Sequence, residues 1–505
     1  MQLFFSAGLI LIVVLWGIFS PRTLGTAFDT VLASITRNFG WFYLWVVLAL
    51  VIFALFLAFS RYGNLKLGAE DNEPEFSVGA WFAMLFAAGM GIGLVFWGVA
   101  EPVSHYVTAP PGIQPITPEA ANAALRYSFF HWALHPWAVY SVVALAIAFF
   151  QYRRKGAALV STSTSALPWR PIQRMSGVFN VLAVIATAFG VAASLGMGAL
   201  QINSGLGAVF GLPVDTTAQV GIIVVTTALF VASAVTGVTR GIKWLSTFNM
   251  VVAAFLTLMV FLLGPTVAII NTLTNTLGAY LSDFVRMSLR MTPFRESGWV
   301  GEWTVFYWAW WISWSPFVGL FIARVSHGRT IREFIVGTVI APSLTAFVWF
   351  SVFGGTALHM EIWQGIPISE AVKADVSTAL FTMFDAMPLG LLMSLIATVL
   401  VLVFFVTSGD SATMVLGIMS TNSNPNPPAK VKIVWGTLIA GIAVSLLLAG
   451  GLQAVQTATI VFALPFTIVI LLMVLSLWRA IREDWREEQR KERELRRQIR
   501  QIVSK

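Results

Sequence analysis

Residues Trp303 to Gly319 read WTVFYWAWWISWSPFVG, an apolar run that holds Trp303, Trp308, Trp310, Trp311 and Trp314 beside Phe306-Tyr307, with Ser315-Pro316 set inside it. Rings at this density present π-faces, and a π-face attracts cations without hydrogen-bond donors, quaternary ammonium groups above all. Single Trp and Tyr residues also mark the membrane–water interface. A belt of that kind needs its rings at one depth, whereas the rings from Trp308 to Trp314 are spread over roughly two helical turns. A proline in mid-span removes a backbone donor and crowds the preceding turn, so the helix is expected to break at Ser315-Pro316.

Working outward, the whole chain has the composition of a membrane protein. Of its 505 residues, 57% are hydrophobic and only 11% charged, against about a quarter charged in soluble domains. The expected fold class is an all-α polytopic membrane protein. With no cysteine, disulfides, thiolate metal sites and Cys nucleophiles are excluded. The net charge of +8 lies in short loops and a tail, without aromatic interleaving on a soluble surface, so nucleic acid is not an expected partner. No Lys or Arg precedes the first apolar run, Leu3 to Phe19; the positive region of a signal peptide is missing, and the run reads as a retained span.

Apolar runs long enough to cross about 30 Å of hydrocarbon recur twelve times, at 3–20, 41–60, 79–100, 127–151, 177–207, 218–238, 246–270, 303–324, 333–356, 388–420, 432–450 and 454–478. An even number puts both termini on one side. Lys and Arg concentrate in the loops after even-numbered spans and in the tail, so both termini are expected in the cytoplasm, with the spans in a bacterial-type plasma membrane. The chain divides into two leading helices and a loop (1–73), five spans (74–270), an amphipathic surface helix carrying Asp283, Arg286 and Arg290 (271–297), five more spans (298–478) and a charged tail (479–505). Five is odd, so the second set must enter the membrane inverted. The tail alternates basic and acidic residues with Ile481, Trp485, Leu495, Ile499 and Ile502. It reads as a helix able to touch anionic lipid, or as a merely solvated one.

Polar features inside the spans point to transport. Gly89, Gly91 and Gly93 stand at alternate positions of span three, each costing about 1 kcal/mol relative to Ala in a helix. They permit either close helix packing or unwinding. Interrupted helices in two separated spans are the sequence mark of a transporter binding site. A freed helix N-terminus there attracts a carboxylate, and freed carbonyls hold a small cation. Span ten adds oxygens in Phe404-Phe405-Val406-Thr407-Ser408-Gly409-Asp410-Ser411, a hard-ligand set suited to sodium; the hydroxyls could instead bond back to their own helix. Asp410 is an ionisable group in a span, which is functional by default. Span four contains FHWALHPWAVY. His131 and His135 have the spacing of a helical zinc pair, but the Glu of HExxH and a third ligand are missing. Trp132, Trp137 and Tyr140 either complete an aromatic box with span eight or pack the core. Glu101-Pro102 at the end of span three and Arg126 before span four are expected to end and cap helices, or alternatively to gate the outer face. No P-loop, GxSxG or paired carboxylates occur in a membrane segment, which excludes the common enzyme classes, and no cofactor is implied.

Four stretches in consistent order, GMGIGLVFWGVAEP, FHWALHPWAVY, WTVFYWAWWISWSPFVGLFIARVSHGRTIREF and TSGDSAT, resemble the betaine/carnitine/choline transporter family, and the likeness runs from roughly Pro74 to Trp478. The resemblance implies a LeuT-like core of two inverted five-helix repeats after two extra helices, usually in a homotrimer. It implies a substrate box of Trp132, Trp137, Tyr140 and Trp311, with Trp314 contributing. It implies a sodium site from the carbonyls of Ala87, Met90 and Phe404 and the hydroxyls of Thr407 and Ser408. A second sodium site in some members lies near Phe317 and uses two hydroxyls one turn apart; here Thr187 is present, and Val191 stands in the other place. Sodium-independent carnitine exchangers differ in the glycine stretch and lack the Thr-Ser pair, while choline-type members tend to carry Asp where this chain has Gly93. The resemblance therefore implies sodium-driven symport of a zwitterion such as glycine betaine, with its trimethylammonium in the box and its carboxylate near the backbone of Gly89 to Gly93. Rival readings are proton-coupled choline uptake, sodium-coupled uptake of ectoine or proline, and a membrane solute sensor. By analogy with family members, the tail is expected to regulate transport by osmotic state.

Overall fold

A computed structural model describes residues 2–89, 91–237, 239–294 and 297–503, without the side chains of residues 2, 86–89, 239–243 and 495. Among the described residues the secondary structure is helical, with one isolated antiparallel bridge between Lys66 and Thr330. The first helices are α1 (Gln2–Phe19) and α2 (Pro21–Phe59). Pro21 starts α2 at a position where its missing N–H costs nothing, and the helix runs 39 residues, well beyond the apolar stretch expected at 41–60. Next come α3 (Val78–Gly89) and α4 (Ile92–Val107), two halves of one run, then α5 (Pro118–Trp132) and α6 (Leu134–Ala148).

The division between α5 and α6 follows from Pro136. A proline cannot donate to the carbonyl four residues back and its ring collides with that turn, so the chain leaves helical geometry at Ala133 (φ −104°, ψ −120°). Then follow α7 (Ser176–Phe210), α8 (Thr216–Thr236), α9 (Thr239–Leu263) and α10 (Thr266–Ser282). The amphipathic stretch expected at 271–297 holds the end of α10 and a short helix, Phe284–Ser288. Arg126 does not cap a helix: its Nη1 pairs with Asp283 Oδ2 at 2.7 Å and ties α5 to this segment.

The aromatic stretch forms a π-helical turn at Val300–Val305 running directly into α11 (Phe306–Val325). The break expected at Ser315-Pro316 is not there. Pro316 leaves the Ile312 carbonyl without its helical donor, and Ser315 Oγ supplies one at 2.7 Å, so the helix passes through the proline intact. A second expectation fails similarly at Glu101-Pro102: α4 continues through Pro102 to Val107, and Glu101 is fully buried rather than terminal. The chain ends with α12 (Ile331–Gln364), opened by a reciprocal Thr330/Glu333 cap, α13 (Gly390–Ser420) and α14 (Ala429–Val503).

Nine of the described helical segments are long and apolar enough to cross a membrane, with Pro118–Arg153, which holds α5 and α6, taken as one. The difference from the twelve expected runs has three sources. The apolar part of α1, Leu3–Phe19, falls just short of spanning length, span three is split into α3 and α4, and the last two runs share α14, kinked where Gly450 and Gly451 leave helical geometry. Helix α7 lies at the centre, packed against α13 and α14. Its Gly190, Ala192, Ala193, Ser194, Gly196 and Gly198 are buried, and such small side chains let neighbouring backbones approach.

Candidate functional site

A cavity of about 740 Å³ opens where α11 meets the ends of the split helices. Its walls include Trp132 of α5, Tyr140 of α6, and Trp310, Trp311, Trp314 and Phe317 of α11. The rings stand edge to face: Trp132 and Trp311 have centroids 5.4 Å apart at 84°, and Tyr140 and Trp311 4.9 Å apart at 65°. Trp137 does not line the cavity. It packs behind, 5.6 Å from Tyr140 and 6.2 Å from Trp311.

The backbone breaks fix these rings. Because α5 stops at Trp132, the carbonyl of His131 has no helical donor, and Trp311 Nε1 donates to it at 3.1 Å. Trp314 Nε1 donates to the Gly190 carbonyl at 2.8 Å, and Trp132 Nε1 to Glu101 Oε2 at 2.7 Å. Three tryptophans of the wall thus have their N–H groups engaged and offer the cavity their rings. Trp310 differs, since its Nε1 has no partner among the described residues. Trp303 and Trp308 take packing roles, the former against Trp97 and His105, the latter fully buried and stacked on His135.

Gly91 and Gly93 line the same cavity, with Gly91 at the N-cap of α4. A helix start of this kind presents unbonded N–H groups and a partial positive charge. Of the other residues expected here, Met90 lies outside the described residues, and Ala87 and Gly89 are described as backbone of α3 alone. From α13 come Phe404, Thr407, Ser408 and Asp410. Thr407 Oγ1 donates to the Val403 carbonyl at 2.8 Å, which leaves the oxygen's lone pairs outward. Asp410 is the only charged residue among the described residues of the wall, and its Oδ2 has no hydrogen-bond partner there. Thr187 is buried outside the wall, its hydroxyl also unpartnered, while Phe317 is in the wall.

Behind Trp132 sits a polar cluster that sequence reasoning missed. Glu101 Oε1 lies 3.1 Å from His105 Nε2 and 2.7 Å from His131 Nδ1; Oε2 accepts from Trp132 Nε1 and, at 2.5 Å, from the Tyr307 hydroxyl. His131 Nε2 meets Thr304 Oγ1 at 3.0 Å. His131 and His135 do not converge, because His135 turns its Nε2 to Ser288 Oγ at 2.8 Å. Glu101, His105 and His131 bring their ligand atoms within 4.8 Å of one another, and the hydrogen bonds among them account for that proximity. The available signal was a Glu inside a long apolar run, but the following proline suggested a helix end.

A family model described as betaine/carnitine/choline family transporter matches residues 2–486. The glycine betaine transporter OpuD of Bacillus subtilis (strain 168) is 47% identical over 474 residues, 93% of this chain and 92% of that protein. The ectoine/hydroxyectoine transporter of Virgibacillus pantothenticus is 45% identical over 479 residues, 95% of each. A probable glycine betaine transporter of Desulfitobacterium hafniense (strain Y51) is 40% identical over 486 residues, 95% of this chain and 97% of that protein. A multi-pass helical protein with these relatives is a membrane transporter and not an enzyme. The chain belongs to the betaine/carnitine/choline transporter family.

Proposed function

We propose that this protein takes up glycine betaine, driven by the sodium gradient, through alternating access in a LeuT-like pair of inverted five-helix repeats. The observation that carries the reading is the cavity whose wall joins Trp132, Tyr140 and Trp311 to the N-terminus of α4. Donor-free rings suit a trimethylammonium group, which has no proton to give. The helix start suits a carboxylate. A zwitterion fills both, and Gly93 offers no side-chain countercharge of its own. The relatives named as glycine betaine transporters agree with it.

Sodium has its best place among Phe404, Thr407 and Ser408 with the carbonyls of Ala87 and Met90; a second place at Thr187 and Phe317 lacks one oxygen, because Val191 stands there. Both termini are proposed to be cytoplasmic, the assembly a homotrimer, and anionic lipid a contact of the tail. Uptake of labelled glycine betaine into proteoliposomes with and without an inward sodium gradient tests the core reading. Accumulation only with the gradient is expected; equal uptake in both would overturn the coupling. A second reading, ectoine uptake by the same machinery, rests on the relative of that name, and competition of betaine uptake by unlabelled ectoine separates the two.

A further inference from the structure

Glu101 is fully buried in the bundle, and among the described residues no Lys or Arg lies within ion-pair distance of it; its ionisable partners are His105 and His131. Its two oxygens face four hydrogen-bonding groups. One of these, the indole N–H of Trp132, can only donate, and a short Tyr O–H contact to the same oxygen is the pattern of an ionised acceptor. A buried charge without a cationic partner is costly, and a carboxylate inside a membrane marks function.

The group between this charge and the cavity is Trp132. The edge bearing Nε1 rests on Glu101 Oε2, and the ring forms part of the cavity wall, perpendicular to Trp311. An N–H donated to a carboxylate gains electron density on its ring, and a richer π-face holds a cation more strongly. Tyr307 donates to the same oxygen, and its ring packs 5.7 Å from Trp132.

We propose that Glu101 is a positioning residue for substrate recognition: through the Trp132 N–H its carboxylate acts as countercharge for a quaternary ammonium in the cavity and sets the preference for a cationic over a neutral head group. The inference rests on the betaine reading and assigns the cluster behind the wall a share in specificity.

The test is competition against labelled glycine betaine in proteoliposomes, by unlabelled betaine and by 3,3-dimethylbutanoate, which has the same shape with carbon in place of nitrogen. Wild type is expected to prefer betaine. Glu101→Gln is expected to shrink that preference by about fivefold or more, the span of a desolvated cation–π contact, while Glu101→Asp, which keeps the charge, retains it even if transport slows. Equal weakening toward both ligands in Glu101→Gln, with the preference intact, would overturn the proposal and leave Glu101 a structural residue. If Glu101→Gln does not fold, Tyr307→Phe decides: it leaves the carboxylate with one donor fewer, so the preference is expected to hold or rise, and a fall would overturn the proposal. Absence of betaine binding by wild type would instead refute the function on which the inference stands.

Discussion

The indole of Trp311 is held by the carbonyl of His131, 3.1 Å from its Nε1, across two helices that are 180 residues apart in the chain. The bond fixes a ring at the centre of the wall, edge to face with both Trp132 and Tyr140. Replacing Trp311 by Leu removes a cation–π face of about 0.5 to 2 kcal/mol. The KM for glycine betaine is expected to rise between about twofold and thirtyfold. An unchanged KM in transport assays would count against the aromatic box.

That bond exists because Pro136 prevents α5 and α6 from joining. Pro136→Ala restores an N–H and lets the helix close over Ala133, so that the His131 carbonyl is taken by its own helix. Pro136 stands in the first turn of α6, where a proline is tolerated, but the restored backbone hydrogen bond contributes about 1 kcal/mol, so thermal stability is expected to increase modestly while betaine affinity decreases. Scanning calorimetry and transport measured on the same preparation check the opposed signs; a gain in stability with unaltered affinity would show that Trp311 does not depend on the break.

Much of the wall was legible in the sequence, for identifiable reasons. Trp132, Tyr140 and Trp311 stood out because aromatic density is local, and Thr407 and Ser408 because hydroxyls are conspicuous in an apolar run. Gly91 and Gly93 were recognisable from their cost in a helix. What was hidden is tertiary. Ser315 Oγ repairs the helix at Pro316 through one side-chain bond, and propensity alone read that position as a break. Glu101 finds Trp132 and Tyr307 31 and 206 residues away, and no pattern within span three indicates them. Trp137 looked equivalent to Trp132, yet helix α6 turns it behind the wall instead of into it.

Gly93 is a test of how tightly the wall is built. A Cβ there would lie 2.3 Å from Trp310 Cη2 and 3.1 Å from Trp132 Cη2, so both rings must shift. Overpacking of this kind costs about 1 to 3 kcal/mol. Gly93→Ala is expected to raise the KM about tenfold or more, because the displaced rings are themselves the binding surface. Gly17→Ala is the control: its Cβ would meet Ser445 Cβ at 2.4 Å, where neither residue lines the cavity, and is expected to lower stability without changing KM.

The hydroxyls of α13 should report on the ion rather than the solute. Thr407 and Ser408 replaced together by Ala lose two hard oxygens from the cavity wall. The sodium concentration giving half-maximal uptake is expected to rise about tenfold or more, while betaine affinity at saturating sodium stays near wild type. Unaltered sodium dependence would dismiss the site.

The tail is anchored by its acids more than by its bases. Arg153, only 12% exposed, contacts Glu70, Asp484 and Glu488, and Arg154 reaches Glu483 and Asp484. Arg482 lies over Trp478, and Arg490, Lys491 and Arg496 pair with acids of their own helix and remain well exposed. An isolated surface pair contributes little, about 0 to 1 kcal/mol, but one largely shielded guanidinium shared by three carboxylates forms a network whose loss leaves like charges facing each other. Arg153→Ala is therefore expected to free the segment after Trp478, with faster amide exchange across residues 480–490 and greater protease sensitivity, whereas Arg490→Ala should leave both unchanged. Raising the salt concentration in wild type should reproduce only a small part of the Arg153→Ala effect, since shielded pairs are screened much less than exposed ones. Equal exchange in wild type and Arg153→Ala at low salt would show that the helix is held by Tyr62, Trp478 and Trp485, whose rings pack edge to face at 5.2 and 5.8 Å, and not by charge.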